Sequence, residues 1–166
     1  TAIHGERRRL DGERVNTEAS LSLANTETEY GYDEDWSFVG IAPGLEYSSF
    51  DLYSRERDSY SAEIRFLSNE PLRIAEVDSD WVAGVYYLAD REDLERNYTY
   101  LPQNFTSSYD TDTLAIFGQL DTRLTENVTL VTGLRFERRE TDYSDNNAVS
   151  DDPGETLWGG RLSLEF

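Results

Sequence analysis

Residues 111–140 read TDTLAIFGQLDTRLTENVTLVTGLRFERRE, and this stretch decides the fold. Apolar side chains recur at every second position on both sides of a short polar break. Leu114, Ile116, Leu120 and Leu124 share one face, with Gln119, Asp121 and Arg123 on the other. After the break, Val128, Leu130, Leu134 and Phe136 align with Thr132, opposite Thr129, Val131, Gly133, Arg135 and Glu137. Successive side chains of a strand point to opposite faces, so this alternation marks two strands rather than a helix. Only Thr125, Glu126 and Asn127 separate them, and so short a loop joins antiparallel neighbours. Leu124 and Val128 then fall on the same side across the turn, which sets the two apolar faces in register.

The same alternation extends outward along the chain. Residues 13–29 alternate through Val15, Ala19, Leu21 and Leu23, and residues 59–67 place Tyr60, Ala62, Ile64 and Phe66 opposite Ser61, Glu63 and Arg65. Residues 157–166 set Trp158, Leu162, Leu164 and Phe166 opposite Arg161, Ser163 and Glu165. Residues 80–89 are apolar on both faces, which leaves open the side that faces out. Several segments run about 10 residues or more, near the roughly 9–11 that a tilted strand needs to cross a bilayer. Strands of soluble domains more often have about 5–6. The connections near 11–13, 68–79 and 125–127 are short or moderate, whereas 31–58, 91–110 and 141–155 are longer, acidic and rich in tyrosine. Alternate connections of an up-and-down barrel emerge at the same end, and outer-membrane barrels have short periplasmic turns and long external loops. The long connections are therefore expected to be external. Arg135, Glu137, Asp121, Arg123, Glu63, Arg65, Arg161 and Glu165 are expected to line a watery lumen.

Composition agrees. The chain has 166 residues and a formal charge of -19, from 34 Asp and Glu against 15 basic residues. That balance repels phosphate backbones, which excludes nucleic-acid binding through a basic patch. It also argues against attraction to an anionic lipid surface, which needs basic clusters. Hydrophobic residues make up 37%, low for a compact soluble domain, yet aromatics reach 13%, too many for a disordered acidic chain. Many charges, many aromatics and little aliphatic bulk suit a barrel with a polar interior. There is no cysteine, so disulfides and Cys-based metal or redox sites are excluded. No apolar run approaches the roughly 18 residues of a spanning helix. The first residues lack a signal-peptide pattern and a starting Met, and the chain reads as a fragment of a longer protein.

The expected fold is all-β: an antiparallel up-and-down transmembrane β-barrel, partial, with about six or seven strands of a larger barrel. Against this frame the sequence of short motifs is specific. Ser61-Ala62-Glu63-Ile64-Arg65-Phe66 is followed by Trp81-Val82-Ala83-Gly84-Val85-Tyr86-Tyr87, then Ala115-Ile116-Phe117-Gly118-Gln119-Leu120. Leu124-Thr125-Glu126-Asn127-Val128-Thr129-Leu130 leads into Thr132-Gly133-Leu134-Arg135-Phe136-Glu137, and Trp158-Gly159-Gly160-Arg161-Leu162-Ser163-Leu164-Glu165-Phe166 closes the series. In words and in order this resembles the barrel of TonB-dependent receptors, over roughly residues 59–166 and more loosely over 13–35. The resemblance implies residues 1–166 to be part of such a barrel in the outer membrane of a Gram-negative bacterium, with no plug domain. It implies uptake of a scarce nutrient, a ferric siderophore or similar metal chelate before others, with energy from TonB acting through a plug region that this chain does not contain. Such barrels have about 22 strands, so the chain holds about a third or less. Outer-membrane lipid would surround it.

Aromatics carry the candidate ligand contacts. Trp36, Phe38, Tyr47, Tyr98, Tyr100 and Tyr109 lie in or near the expected external loops, where rigid rings with a polar handle suit ligand capture. Several could instead belong to the interfacial aromatic girdle, to which Tyr60, Tyr86, Tyr87 and Trp158 are assigned. His4 is the only histidine, and with no cysteine it makes neither a usual transition-metal site nor a His-based triad. The clusters Asp33, Glu34, Asp35 and Asp142, Asp145, Asp151, Asp152, Glu155 lack the position-specific spacing of a calcium loop and read as solvated acidic loops. Carboxylate pairs for hydrolysis are defined in space, and coincidental pairs are expected among so many acids. No enzyme activity, cofactor or metal is expected. Three Asn-X-Thr triplets, at Asn97, Asn104 and Asn127, match the glycosylation pattern and carry no meaning in a bacterial outer-membrane protein.

Two alternatives stand beside this reading. Phe166, with alternating Trp158, Leu162 and Leu164 before it, resembles the end of a complete outer-membrane barrel, which suggests a small barrel of about eight strands with a structural or adhesive role. A soluble acidic β-sandwich that binds carbohydrate through loop tyrosines would need a dry core between two sheets.

Overall fold

The computed structural model describes residues 1–35, 44, 48–74 and 76–166. Among the described residues the chain forms nine strands: β1 Ala2–Leu10, β2 Val15–Asp33, β3 Phe50–Ser68, β4 Leu72–Ile74, β5 Val77–Tyr98, β6 Phe105–Thr125, β7 Val128–Asp145, β8 Ser150–Asp151 and β9 Gly154–Glu165. All belong to one antiparallel sheet, with β1, β2, β3, β5, β6 and β7 in sequence and both β8 and β9 on the far edge of β7. β4 pairs with β5 alone, as a stub within the β3–β5 connection. The sheet is open, for β1 and β9 do not pair. The architecture is thus a part of an up-and-down barrel wall. Neither the closed small barrel nor the two-sheet sandwich describes it, because this chain makes one open sheet.

The 111–140 hairpin forms in the expected register: Ile116 faces Phe136, Gly118 faces Leu134 and Leu120 faces Thr132. A bulge between Arg123 and Thr125 shifts the ladder by the turn, and Asn127 N–H donates to Thr125 Oγ1 at 3.3 Å. The strand ends that flank 34–49, 99–104 and 146–153 gather at one end of the sheet, and those that flank 11–14, 69–76 and 126–127 at the other. The two stretches expected to be loops at 91–110 and 141–155 are largely strand. β5 runs 22 residues and β6 runs 21, about twice the length needed to cross a bilayer. Past the apolar segment both faces of each strand are polar, so the alternation fades while the ladder continues. Cross-strand pairs such as Arg55–Glu92, 2.5 Å, and Arg91–Asp112, 2.7 Å, take over the pairing there. β1 carries no apolar face at all (AIHGERRRL), which is why no strand is expected from its pattern.

The two faces of the sheet differ sharply. One cross-strand row reads Ala19, Ile64, Val85, Ile116, Phe136 and Trp158 from β2 to β9. These side chains point away from the crowded face, and Ile116 remains 55% and Trp158 76% exposed. Of the buried strand residues, Asn16, Glu18, Asp51, Thr111, Thr113, Ala115, Val131 and Thr141 lie on the opposite face, where a curling sheet crowds its inner side, while Ser79 and Ala89 are buried on the outward face. The eight charged residues assigned to the lumen share that inward face. Glu63 is paired with Arg65, Arg135 with Glu137 and Arg161 with Glu165. An apolar outward band over a charged, hydrogen-bonded inner wall suits lipid outside and water within.

The register settles β5. Trp81, Ala83, Val85, Tyr87 and Ala89 face out, while Val82, Gly84, Tyr86 and Leu88 face in. Tyr60, Tyr87 and Trp158 lie on the outward face. Tyr86 does not: it stands in the inward row with Glu63, Ala115 and Glu137, and the Arg135 guanidinium lies 5.5 Å from its ring centroid. With both faces of β5 apolar, adjacent tyrosines gave no clue which of them faced out.

The outward band also slides along the sheet. On β5 it reaches up to Ala89, but the same row carries Asp112 on β6 and Glu140 on β7. On β9 its upper member is Trp158, in the row of Val85, and its lower member Leu164 stands in the row of Leu130 and Thr122. The band is displaced by four residues, from the row of Ala89 to that of Val85, toward the short-turn end between β5 and β9. Such displacement is the signature of strands tilted to the barrel axis.

Candidate functional site

On the inward face, the long-loop ends of β2, β3 and β5 carry tyrosines, arginines and acids at alternate positions. β2 supplies Tyr30 and Tyr32, β3 supplies Asp51, Tyr53, Arg55 and Arg57, and β5 supplies Asp90, Glu92, Arg96 and Tyr98. Period-two spacing puts each set on one face, and the register sets them side by side. Tyr30 and Tyr53, directly opposite each other, stack with centroids 5.0 Å apart and planes 4° from parallel. Tyr32 meets both edge-on, at 6.0 and 6.4 Å. Aromatic cross-strand pairs of this kind stiffen a sheet beyond the area they bury.

Arg96 joins this stack to the next strand. Its Nε donates to Asp51 Oδ1 at 2.8 Å and its Nη2 to Oδ2 at 2.6 Å, while its guanidinium lies 5.2 Å from the Tyr53 centroid and 5.0 Å from that of Tyr98. Tyr53 Oη also donates to Asp51 Oδ2, at 3.1 Å. The Asp51 side chain is only 5% exposed. It lies nine residues beyond Tyr60, outside the apolar band, and the Arg96 guanidinium holds its carboxyl below the usual carboxylate range against the opposing push of burial. Below this level Arg55 Nη1 reaches Glu92 at 2.5 Å and its Nε reaches Tyr30 Oη at 3.3 Å. Arg57 Nε reaches Asp90 Oδ1 at 2.9 Å, and Ser59 Oγ meets the same oxygen at 2.5 Å. The three arginines of this column are all ion-paired to acids of the same wall.

The expected ligand residues divide. Trp36, Phe38 and Tyr47 lie outside the described residues. Tyr98 ends β5 and joins the column, and Tyr100 follows it edge-on at 5.7 Å, with its hydroxyl donating to the Ser48 carbonyl at 3.2 Å. Tyr109 lies within β6, not in a loop, and faces inward opposite Tyr143. The column's other members, Tyr30, Tyr32, Tyr53, Asp51 and Arg96, were not expected. Alternation through Asp51, Tyr53, Arg55 and Arg57, and through Glu92, Leu94, Arg96 and Tyr98, was the available signal.

The acidic clusters shape turns. Asp145 accepts N–H bonds from Asn147 at 2.9 Å and Val149 at 3.1 Å, and the Tyr143 hydroxyl at 2.9 Å. Asp35 Oδ1 accepts the Ser49 N–H at 2.8 Å, and Asp33 the Asp35 N–H at 3.0 Å. Such Asx contacts satisfy backbone donors where the ladder ends. His4 lies on β1, exposed at the sheet edge.

Comparison with known proteins gives a consistent answer. Solved structures similar to the chain include the ferric yersiniabactin uptake receptor FyuA from Yersinia pestis, at a TM-score of 0.70 and 17% identity over 98% of this chain and 25% of that one. The ferric citrate transporter FecA in its unliganded form matches at 0.69 and 14% identity, over 98% and 25%. BauA, the ferric preacinetobactin receptor from Acinetobacter baumannii, matches at 0.65 and 19% identity, over 96% and 27%. The chain thus spans about a quarter of the length of these proteins, and at such identity the likeness shows the fold. Curated protein sequences give no match. The family model described as TonB dependent receptor-like, beta-barrel matches residues 4–166. With an open up-and-down sheet, an apolar outward band and a charged inner wall, the chain belongs to the TonB-dependent receptor β-barrel family.

Proposed function

We propose that this chain is a wall segment of a receptor in the outer membrane of a Gram-negative bacterium that takes up a ferric chelate. The long-loop end faces outward and the short-turn end faces the periplasm. Ligand meets the inward tyrosine–arginine wall near the mouth, where Tyr98, Tyr100 and Tyr109 act with Trp36, Phe38 and Tyr47 from the neighbouring connection. TonB supplies energy through a plug elsewhere in the protein. The wall has no catalytic part in this.

The observation that carries this reading is the Tyr30–Tyr53–Arg96–Tyr98 stack, a rigid aromatic surface on the inner wall of a barrel family whose similar structures are ferric-chelate receptors by name. Rings fixed before ligand arrives present contact area with little ordering entropy. The test is uptake of ⁵⁵Fe by iron-starved cells carrying or lacking the full-length gene, across catecholate, hydroxamate, phenolate and citrate chelates, with and without TonB. Uptake of one class that needs both the gene and TonB supports the proposal. Equal uptake by both strains for every chelate, with a defect for cobalamin, haem or an oligosaccharide instead, would replace the ferric ligand.

A further inference from the structure

We propose that a groove on the outward face of β5, β6, β7 and β9 seats one acyl chain of a phospholipid from the periplasmic leaflet. The groove is a shallow depression open to the surface, with a volume of about 780 Å³. Its floor follows one cross-strand row, in which Ala83, Gly118 and Gly160 leave the backbone nearly bare and Leu134 rises between the two glycines. Trp81, Leu120 and Leu162, in the next row toward the short-turn end, form the lower wall. On the other side stands the ridge of Val85, Ile116, Phe136 and Trp158. The lining is mostly hydrocarbon, and it is continuous with the outward band that faces lipid.

The direction of the groove identifies its occupant. It follows a row, while the apolar band slides toward the short-turn end from β5 to β9. At β5 the groove therefore opens at the band's lower edge, beside Trp81 and Leu72, and at β9 it ends among the band's middle members, Gly160 and Leu162. A chain entering at Leu72 and climbing to Gly160 runs from the periplasmic interface to the bilayer's centre, the course of an inner-leaflet acyl chain. The ridge separates it from chains descending from the outer leaflet. Just below the opening, the outward hydroxyls of Ser79 and Thr122 bond each other at 3.0 Å, and Ser79 is fully buried. Arg161 contributes to the lining, but its side chain belongs to the inward row with Gly133, so the seat is built for a hydrocarbon chain and not a headgroup.

The inference rests on the proposed bilayer setting and orientation, but not on the ligand transported. Filling the groove tests it. A Cβ on Gly118 would lie 3.6 Å from the Val82 carbonyl oxygen, and one on Gly160 3.4 Å from that of Gly133, both ordinary contacts. Gly118→Val with Gly160→Val should therefore fold and occupy the floor with strand-favouring side chains. The full-length protein, shown by fractionation to be in the outer membrane, is extracted in mild detergent and weighed by native mass spectrometry. Heat-modifiable mobility checks that both forms are folded. The wild type should retain one phospholipid that the filled variant loses. A wild type without retained lipid, a folded variant retaining as much, or a retained lipopolysaccharide would each overturn the proposal. Absence from the outer-membrane fraction would instead overturn the bilayer reading beneath it, and failure of ferric-chelate uptake leaves the lipid result untouched.

Discussion

The ring of Phe117 lies over Gly84 on the neighbouring strand: a Cβ built on Gly84 would fall 2.5 Å from the ring's Cζ and 2.7 Å from the Ile64 carbonyl oxygen. Both residues face inward, between Arg65 and Arg135 in the same row. Glycine is required here for close approach, since an aromatic side chain covers the backbone that glycine leaves bare.

Gly84→Ala should therefore destabilise the barrel by about 1–3 kcal/mol, the usual range for overpacking. Urea unfolding of the full-length protein in lipid vesicles measures it. Adding Phe117→Ala should recover only part of the loss, because the Ile64 carbonyl belongs to the backbone and cannot move aside. Full recovery would show that the ring alone sets the requirement.

Ile116 and Gln119 lie on one strand and face opposite ways. Ile116→Arg puts a guanidinium on the outward face and should cost about 2–4 kcal/mol if it lies near the bilayer midplane. Gln119→Arg faces the wet wall, where Gln119 already donates to Asp121 at 2.8 Å, and should fall within about 0.5 kcal/mol of wild type. Equal costs for the two substitutions would contradict the assignment of faces.

Arg96→Lys keeps the charge but removes the fork that grips both Asp51 oxygens and the flat surface between Tyr53 and Tyr98. Because Arg96 is one-third exposed, solvent tempers the effect to roughly 1 kcal/mol of local stability. Hydrogen exchange at residues 50–54 and 94–98 should speed up about five-fold while the apolar segments keep their protection. Unchanged exchange would mean that tyrosine stacking alone holds the wall.

The same clasp has a pH dependence of known sign. Arg96 lowers the folded pKa of Asp51, so the folded state holds its proton less tightly than the unfolded chain does. The clasp's contribution is fully present above the ordinary carboxylate range and is lost as pH falls through the depressed folded value. Mild acid should leave it intact, and only stronger acid should open it. A carboxyl ¹³C titration of Asp51 checks this; a midpoint at or above the ordinary range would refute it.

How much of this was legible depends on where apolar alternation was present. Residues 111–140 showed two strands, their turn and their register, because one face of each strand is apolar and the other polar, which imposes a strict period. The eight charged lumen residues followed from the same rule. At β1 and at the long-loop ends of β3, β5 and β6 both faces are polar, so a continuing strand looks like a loop. The Tyr30–Tyr53–Arg96 column fell in that blind zone. Its members come from three strands, and only pairing shows that Asp51 and Arg96 meet. Tyr86 and Tyr87 illustrate the remaining limit: in a segment apolar on both sides, only the neighbours' register tells in from out.

The overrun of the strands has a mechanical meaning. From Tyr60 at the upper edge of the band on β3 to Asp51 is nine residues, roughly 30 Å along the strand. Tilted as barrel strands are, by about 35–45°, that is roughly 20–25 Å of height above the apolar band. Among the described residues, this end of the sheet is thus a hydrogen-bonded parapet that rises well beyond the band. Connections at its crest can lengthen or change sequence while the tyrosines below keep their spacing, so the wall's aromatic surface and the crest are free to evolve apart.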